Sequence, residues 1–193
     1  LNGQVLDVYD FKEINMNEGD WLILARTNPL LKQVPLILKN KGFFFETKDG
    51  QSISKKFYDD ILNWDKFRKG EEIAEVQLHR LLEKIKGKPN KYLKWYDAFT
   101  NVSQEKIDYV FKMIINGEDL SKPPRIKIST IHSAKGGEAT NVVLFLNQTI
   151  NTMRAANKSV WKQDEEYRVW YVGVTRAIQN LYLVKCKNKQ KEF

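Results

Sequence analysis

The sequence is poor in the residues that cross-link a fold or bind soft metals: it holds one cysteine, Cys186, and two histidines, His79 and His132. A lone cysteine cannot close an internal disulfide, and no Cys/His cluster stands at zinc-ligand spacing. A reducing, cytoplasmic compartment is the expectation that follows. No apolar run approaches the roughly 18 to 20 residues of a membrane span. The start at Leu1 shows neither a signal peptide nor an initiator methionine, so the chain reads as a piece of something longer. Internal repeats and low-complexity tracts are missing too. So is any G-x-x-x-x-G-K-S/T phosphate cradle, since Gly87-Lys88 runs into Pro89. That last absence excludes an autonomous P-loop ATPase.

What the chain has in excess is basic charge. Lys and Arg number 32 against 24 Asp and Glu, for a formal net charge of +8 and a pI near 9.4. Such a balance favours polyanionic partners, although many proteins that bind none share it. With 42 % hydrophobic and 29 % charged residues, the chain suits one globular domain, or one domain with a modest insertion.

Trp21 to Ala25 is a continuous apolar run of buried-strand length, followed by Arg26, Thr27 and Asn28. Pro29 then opens a helix that closes at Lys41-Gly42, and Phe43 to Phe45 reads as a short strand. From 49 to 124 apolar residues recur at helical spacing between Lys, Gly and Asn breaks, which predicts roughly three to five short helices. Strand and helix alternate again after Pro123-Pro124: Arg125 to Thr130, a turn at Gly136-Gly137, and Val142 to Leu146. A helix over Asp164 to Ala177, with Tyr167, Trp170, Tyr171, Val174 and Ile178 on one face, precedes a strand at Leu181 to Val184. The lysine-rich tail is expected to fray. The whole predicts an α/β fold with a parallel sheet built from 1–48 and 125–193, and a small helical insertion over 49–124. Trp64, Trp95 and Trp161 offer stacking surfaces for bases, but at helical spacing among apolar neighbours they read as core and are given no role.

Two stretches carry chemistry. In Ile128-Ser129-Thr130-Ile131-His132-Ser133-Ala134-Lys135-Gly136-Gly137-Glu138, a strand ends in hydroxyl, imidazole and ammonium groups followed by two glycines. Backbone amides and short polar side chains there suit close approach to a phosphate backbone. Taken singly, His132 reads as a structural histidine, Lys135 as a solvated charge and Glu138 as a cap; only their order lifts them above that. In Asp164-Glu165-Glu166-Tyr167-Arg168-Val169-Trp170-Tyr171-Val172-Gly173-Val174-Thr175-Arg176-Ala177, Arg176 falls near a helix end, where the macrodipole favours any cation. Its bidentate fork beside Gly173 and Thr175 also suits a phosphoryl group. Arg168 lies about 80° around the helix from Arg176, so it can serve a different ligand or pair with Asp164 at i,i+4.

The first stretch resembles motif V of the UvrD/Rep/PcrA helicases of superfamily 1, T-x-H-x-x-K-G-L-E. The second resembles their motif VI, and Leu24-Ala25-Arg26-Thr27-Asn28 is similar to motif IV, a hydrophobic strand ending in R-x-N. The resemblance implies the second RecA-like motor domain of an ATP-dependent DNA helicase, carrying a reduced 2B-like insertion, in a small bacterial or phage-like member. It implies that Arg26 and Arg176 contact the transferring γ-phosphoryl group, Arg176 as arginine finger. Glu138 would meet the nucleotide ribose, and Thr130, His132 and Ser133 would face single-stranded DNA. ATP with Mg2+ would be the cofactor, its metal ligands lying on a preceding RecA-like domain, without which this chain turns over no ATP. A DNA-binding or regulatory relic of such a domain is the alternative. The chain departs from the pattern at Gly137, before Glu138, and at Ala139-Thr140 after it.

Overall fold

A computed structural model describes residues 3–85, 87–100, 102–134, 136–186 and 193. Lys135 and the lysine-rich tail at 187–192 lie outside the described residues. Among those described, the strands are β1 (Gln4–Val8), β2 (Trp21–Ala25), β3 (Phe45–Thr47), β4 (Gly50–Gln51), β5 (Ile126–Thr130), β6 (Ala139–Phe145) and β7 (Ala177–Val184). They form one sheet in the order β1-β7-β6-β2-β5-β3-β4. Neighbours from β1 to β3 in that order pair in parallel, and β4 turns back on β3 as an antiparallel hairpin. The α/β architecture with a parallel sheet, expected from the alternating pattern, is observed.

β2 lies inside the sheet and all five of its residues are buried. Trp21, Ile23 and Ala25 enter one hydrophobic cluster while Leu22 and Leu24 enter the other. A strand covered on both faces has no polar side to alternate with, hence its unbroken apolar run.

The helices are α1 (Val34–Lys41), α2 (Lys55–Lys69), α3 (Glu75–Leu82), α4 (Trp95–Ala98), α5 (Gln104–Ile115), α6 (Ile150–Ala156) and α7 (Val160–Val174). Ser54 and Ser103 start α2 and α5 by accepting the Phe57 and Lys106 backbone N–H groups, which have no partner within the helix. The apolar faces of α2 to α5 (Phe57, Trp64, Leu81, Val110, Met113) share one buried cluster with Ile23, Phe43 and Ile126. The helical stretch thus rests on the first face of the sheet. Asp60 on α2, 1 % exposed, accepts from Arg80 on α3 at 2.7 Å and from Lys84. At Gly42 the chain leaves α1 at φ 77°, and a Cβ there would stand 2.5 Å from the Lys112 Cβ on α5. Glycine is required for both reasons.

The second face is covered by α7 and by the 131–138 connection between β5 and β6, through Ile131, Ala134, Trp170 and Gly173. A Cβ on Gly173 would meet Leu144 Cδ1 at 3.3 Å and Ile131 Cδ1 at 3.4 Å, so the glycine sets the close approach of helix to sheet.

Two sequence expectations change here. The helix starts at Val160, where Ser159 caps it by accepting from Lys162, and ends at Val174; strand β7 begins at Ala177 because that residue already pairs with Ala139. Arg176 therefore stands in the two-residue connection between helix and strand. Of the five residues expected on one apolar face, Trp170 is buried, whereas Tyr167, Tyr171, Val174 and Ile178 are exposed. The buried positions of α7 are Glu166, Trp170 and Gly173, spaced i, i+4, i+7. Among the described residues no helix is long and apolar enough to cross a membrane.

Candidate functional site

Because the strands are parallel, the sheet has two unlike edges. Loops leaving the strands gather at the carboxyl edge, where ligands of open α/β sheets usually bind. Ala25 of β2 is level with Thr130 of β5 and Phe145 of β6, so Arg26, His132 and Ser133 emerge together on that edge. Glu138 and Arg176 instead precede β6 and β7 and stand on the amino edge.

On the carboxyl edge the guanidinium of Arg26 forms a fork with Glu166: Nε donates to Oε1 at 2.7 Å and Nη2 to Oε2 at 2.9 Å. Glu166 is 6 % exposed and also accepts from Trp170 Nε1 at 2.9 Å, so its charge is both paired and hydrogen-bonded. Arg26 Nη1 lies 3.3 Å from His132 Nδ1. Arginine has no lone pair to offer, so in this contact the imidazole nitrogen is the acceptor. Thr130 Oγ1 donates to Ser133 Oγ at 3.0 Å and accepts the Ser133 N–H at 3.3 Å, closing one tight turn that presents Ser133 and His132 at the surface.

The chain then crosses the sheet. Residues 131–138 carry it from the carboxyl end of β5 to the amino end of β6, with Ile131 and Ala134 buried under α7. At the far end Gly137 O accepts from Arg176 Nη1 at 3.4 Å, and Arg176 Nε donates to Val172 O at 3.1 Å. Arg176 O accepts the Ala139 N–H at 3.0 Å, so Glu138, exposed, and Arg176, half-buried, flank the same strand start. Glu138 makes no side-chain hydrogen bond with a described residue.

The structure thus brings Arg26, Thr130, His132 and Ser133 together, and separately Glu138 and Arg176. It does not bring Arg26 to Arg176. The seven residues of β6 separate their levels, roughly 20 Å of extended chain, and each guanidinium is turned to its own partners. The expectation that both reach one phosphoryl group is not met within this chain; the likeness to motif IV located the strand end without saying which edge it occupies. Arg168 likewise takes no ion-pair partner among the described residues, Asp164 included.

Sequence reading missed three groups. Glu166 was hidden because a carboxylate in a helical seam lowers the apolar signal; its i,i+4 spacing to Trp170 was the available clue. Lys32, Lys39 and Lys48 line, with Asn28, Thr130 and Ser133, a cavity of about 440 Å³ on one side of the Thr130 turn. A second cavity, about 700 Å³, lies on the other side, lined by Arg26, His132, Lys158, Lys162 and Arg168 among others. Both are basic, and together they flank the turn along the carboxyl edge. Among the described residues no group of three or more His, Cys, Asp or Glu is placed to hold a metal ion.

The family model of the UvrD-like helicase C-terminal domain matches residues 55–188. That stretch is more than half of the 193 residues and includes both segments that resemble motifs V and VI. The chain belongs to this family, and its mostly parallel sheet with flanking helices is a RecA-like C-terminal helicase domain. No curated protein matches it.

Proposed function

We propose that this chain is the second wall of an ATP-driven motor on single-stranded DNA, with nucleotide on the amino edge and DNA on the carboxyl edge. Arg176 would reach the γ-phosphoryl group of ATP held by a P-loop domain, and Glu138 beside it would meet the ribose. A guanidinium held by two backbone carbonyls and the Thr175 hydroxyl, all of them neutral, keeps its full charge for an incoming anion. Thr130, His132 and Ser133, with Arg26 orienting the imidazole, would hold DNA phosphates, and the flanking basic cavities would continue the track. Mg2+ would come with ATP on the P-loop domain, since this chain contains no P-loop.

The observation that carries the reading is the 131–138 crossover, which begins in the turn at Thr130 and ends at the Arg176 contact. A shift of one end would be passed to the other through a connection that Ile131 and Ala134 anchor beneath α7. Arg176 would favour closure of the two domains only while the γ-phosphate is present, which supplies the differential contact a ligand-driven shift requires.

The test is Arg176→Ala in the protein that carries this chain together with its P-loop domain. DNA-stimulated ATP hydrolysis is expected to fall by about 10³-fold or more, with affinity for single-stranded DNA retained. Undiminished turnover would remove Arg176 from the site. Oligonucleotide binding without ATP hydrolysis in the parent protein would instead favour a DNA-binding relic of the domain.

A further inference from the structure

Another cavity, about 650 Å³, lies between α1, α5 and the residues that follow β4. Its wall carries three lysines, Lys39, Lys106 and Lys112, against two carboxylates, Glu105 and Asp108, and none of the five forms an ion pair with a described residue. Lys39 also lines the 440 Å³ cavity, and Lys112 is exposed. Lys106 differs from both. It is half-buried on the first turn of α5, where the helix end already bears partial positive charge. Its Nζ rests 3.6 Å from the centre of the Phe57 ring instead of on a carboxylate. Burial first, and the Lys84 ammonium second, hold its amine below the ordinary lysine value. Asp60 offsets part of this, but that carboxylate is already shared by Arg80 and Lys84, and Lys39 adds to the lowering. At neutral pH a larger share of Lys106 than of a solvated lysine is therefore the uncharged, nucleophilic amine.

We propose that Lys106 is a site of acylation by acyl phosphates, in which Lys39 and Lys112 on the cavity wall hold the phosphate while the Lys106 amine meets the acyl carbon. The Lys106 nitrogen attacks the carbonyl carbon. A C–N bond forms, the C–O bond to phosphate breaks, and its electron pair leaves on the phosphate oxygen. The proton shed by the amine goes to the departing phosphate, so the products are the Lys106 amide and hydrogen phosphate. Two cations without carboxylate partners suit an anionic leaving group, which they hold in the ground state and stabilise further as charge builds on its oxygen. A neutral activated acyl group gains nothing from them. The amide is uncharged, so acylation removes a positive charge from beside Lys84 and Lys39.

The experiment treats the 193-residue chain with acetyl phosphate and, separately, with the uncharged acetyl thioester of N-acetylcysteamine, and follows each lysine by peptide mass spectrometry. With acetyl phosphate, Lys106 is expected to be acetylated several-fold faster than Lys55 and Lys56, which are exposed at the start of α2. The variant Lys39→Gln/Lys112→Gln, shown to be folded by circular dichroism, tests the phosphate contacts. Its Lys106 should react with acetyl phosphate about tenfold more slowly relative to the thioester, two exposed charge contacts to the leaving group being lost. Both reagents feel any change in the reactivity of the amine, so the ratio of their rates reads the phosphate contacts alone. Acetylation of Lys106 by acetyl phosphate no faster than that of Lys55 and Lys56 overturns the site. An unchanged ratio in the variant overturns the assignment of acyl phosphates as the acyl donors.

Discussion

The two edges of the sheet each present an arginine from a helicase-like motif, and they treat it in opposite ways. Arg26 is spent on structure: a forked ion pair with a buried carboxylate, itself braced by an indole N–H. Arg176 is held by two backbone carbonyls and the Thr175 hydroxyl and pairs with no carboxylate among the described residues. Carbonyl dipoles orient a guanidinium without cancelling its charge, whereas a carboxylate does both. An arginine kept for an external anion should therefore resemble Arg176, and one that braces a neighbouring side chain should resemble Arg26. Sequence motif membership does not separate the two; the partner does.

The largest expected effect breaks the comparison at its functional end. Arg176→Ala, which is predicted to abolish turnover, should change the chain's own stability by less than about 0.5 kcal/mol, because no buried group depends on it. Chemical denaturation of the isolated chain checks this, and a large loss of stability would mean that Arg176 is structural as well.

Arg26→Ala should do the reverse. Removing the guanidinium leaves Glu166 charged and buried, at a cost of about 3 kcal/mol in unfolding free energy. The double variant Arg26→Ala/Glu166→Leu should recover part of that loss, because the uncompensated charge goes too. Additive losses in the denaturation midpoints would show that the pair is not coupled.

A smaller effect probes the element that joins the edges. Gly173→Leu would press on Leu144 and Ile131 and lift α7 from the crossover, at about 1 to 3 kcal/mol. Gly173→Ala should lie near zero, since a gain in helix propensity of about 1 kcal/mol offsets a mild contact. If the Leu variant is as stable as the parent, the crossover is not clamped by α7.

The smallest expected effect concerns the amino edge in acid. Burial pushes the Asp20 carboxyl up, but hydrogen bonds from the Thr140 hydroxyl, the Thr140 N–H and its own backbone N–H outweigh that and hold it below its ordinary value. A lowered folded pKa contributes stability above the unfolded value, near 3.9, that is lost as pH falls through the folded value. Asp20→Asn should thus flatten the acid limb of the stability profile below about pH 4, where the aspartate's pH-dependent contribution is lost. An unchanged acid limb would show that the Thr140 contact does not anchor the start of β6.

Much of this was legible in residue order. The Trp21 to Ala25 run is strand β2 to the residue, and Gly42 ends α1 where the sequence placed the stop. The helical periodicity from 49 to 124 becomes α2 to α5. Less legible was α7, whose seam of Glu166, Trp170 and Gly173 is not apolar, so a hydrophobic reading chose the exposed Tyr167, Tyr171 and Val174 in its place. Trp161 was read as core for the same reason: periodicity reports that an aromatic lies on a helix face, not whether that face meets anything.

By itself, then, the sequence determined the class of the fold, the family and the two segments that resemble its motifs, because strand runs, helical spacing and ordered motifs are local. Only the tertiary structure decided which residues meet. Arg26 and Glu166 are 140 positions apart and pair across the sheet, while Arg26 and Arg176, expected at one ligand, stand on opposite edges. Strand direction settles that, since in a parallel sheet a residue after one strand and a residue before the next are separated by the strand's whole length.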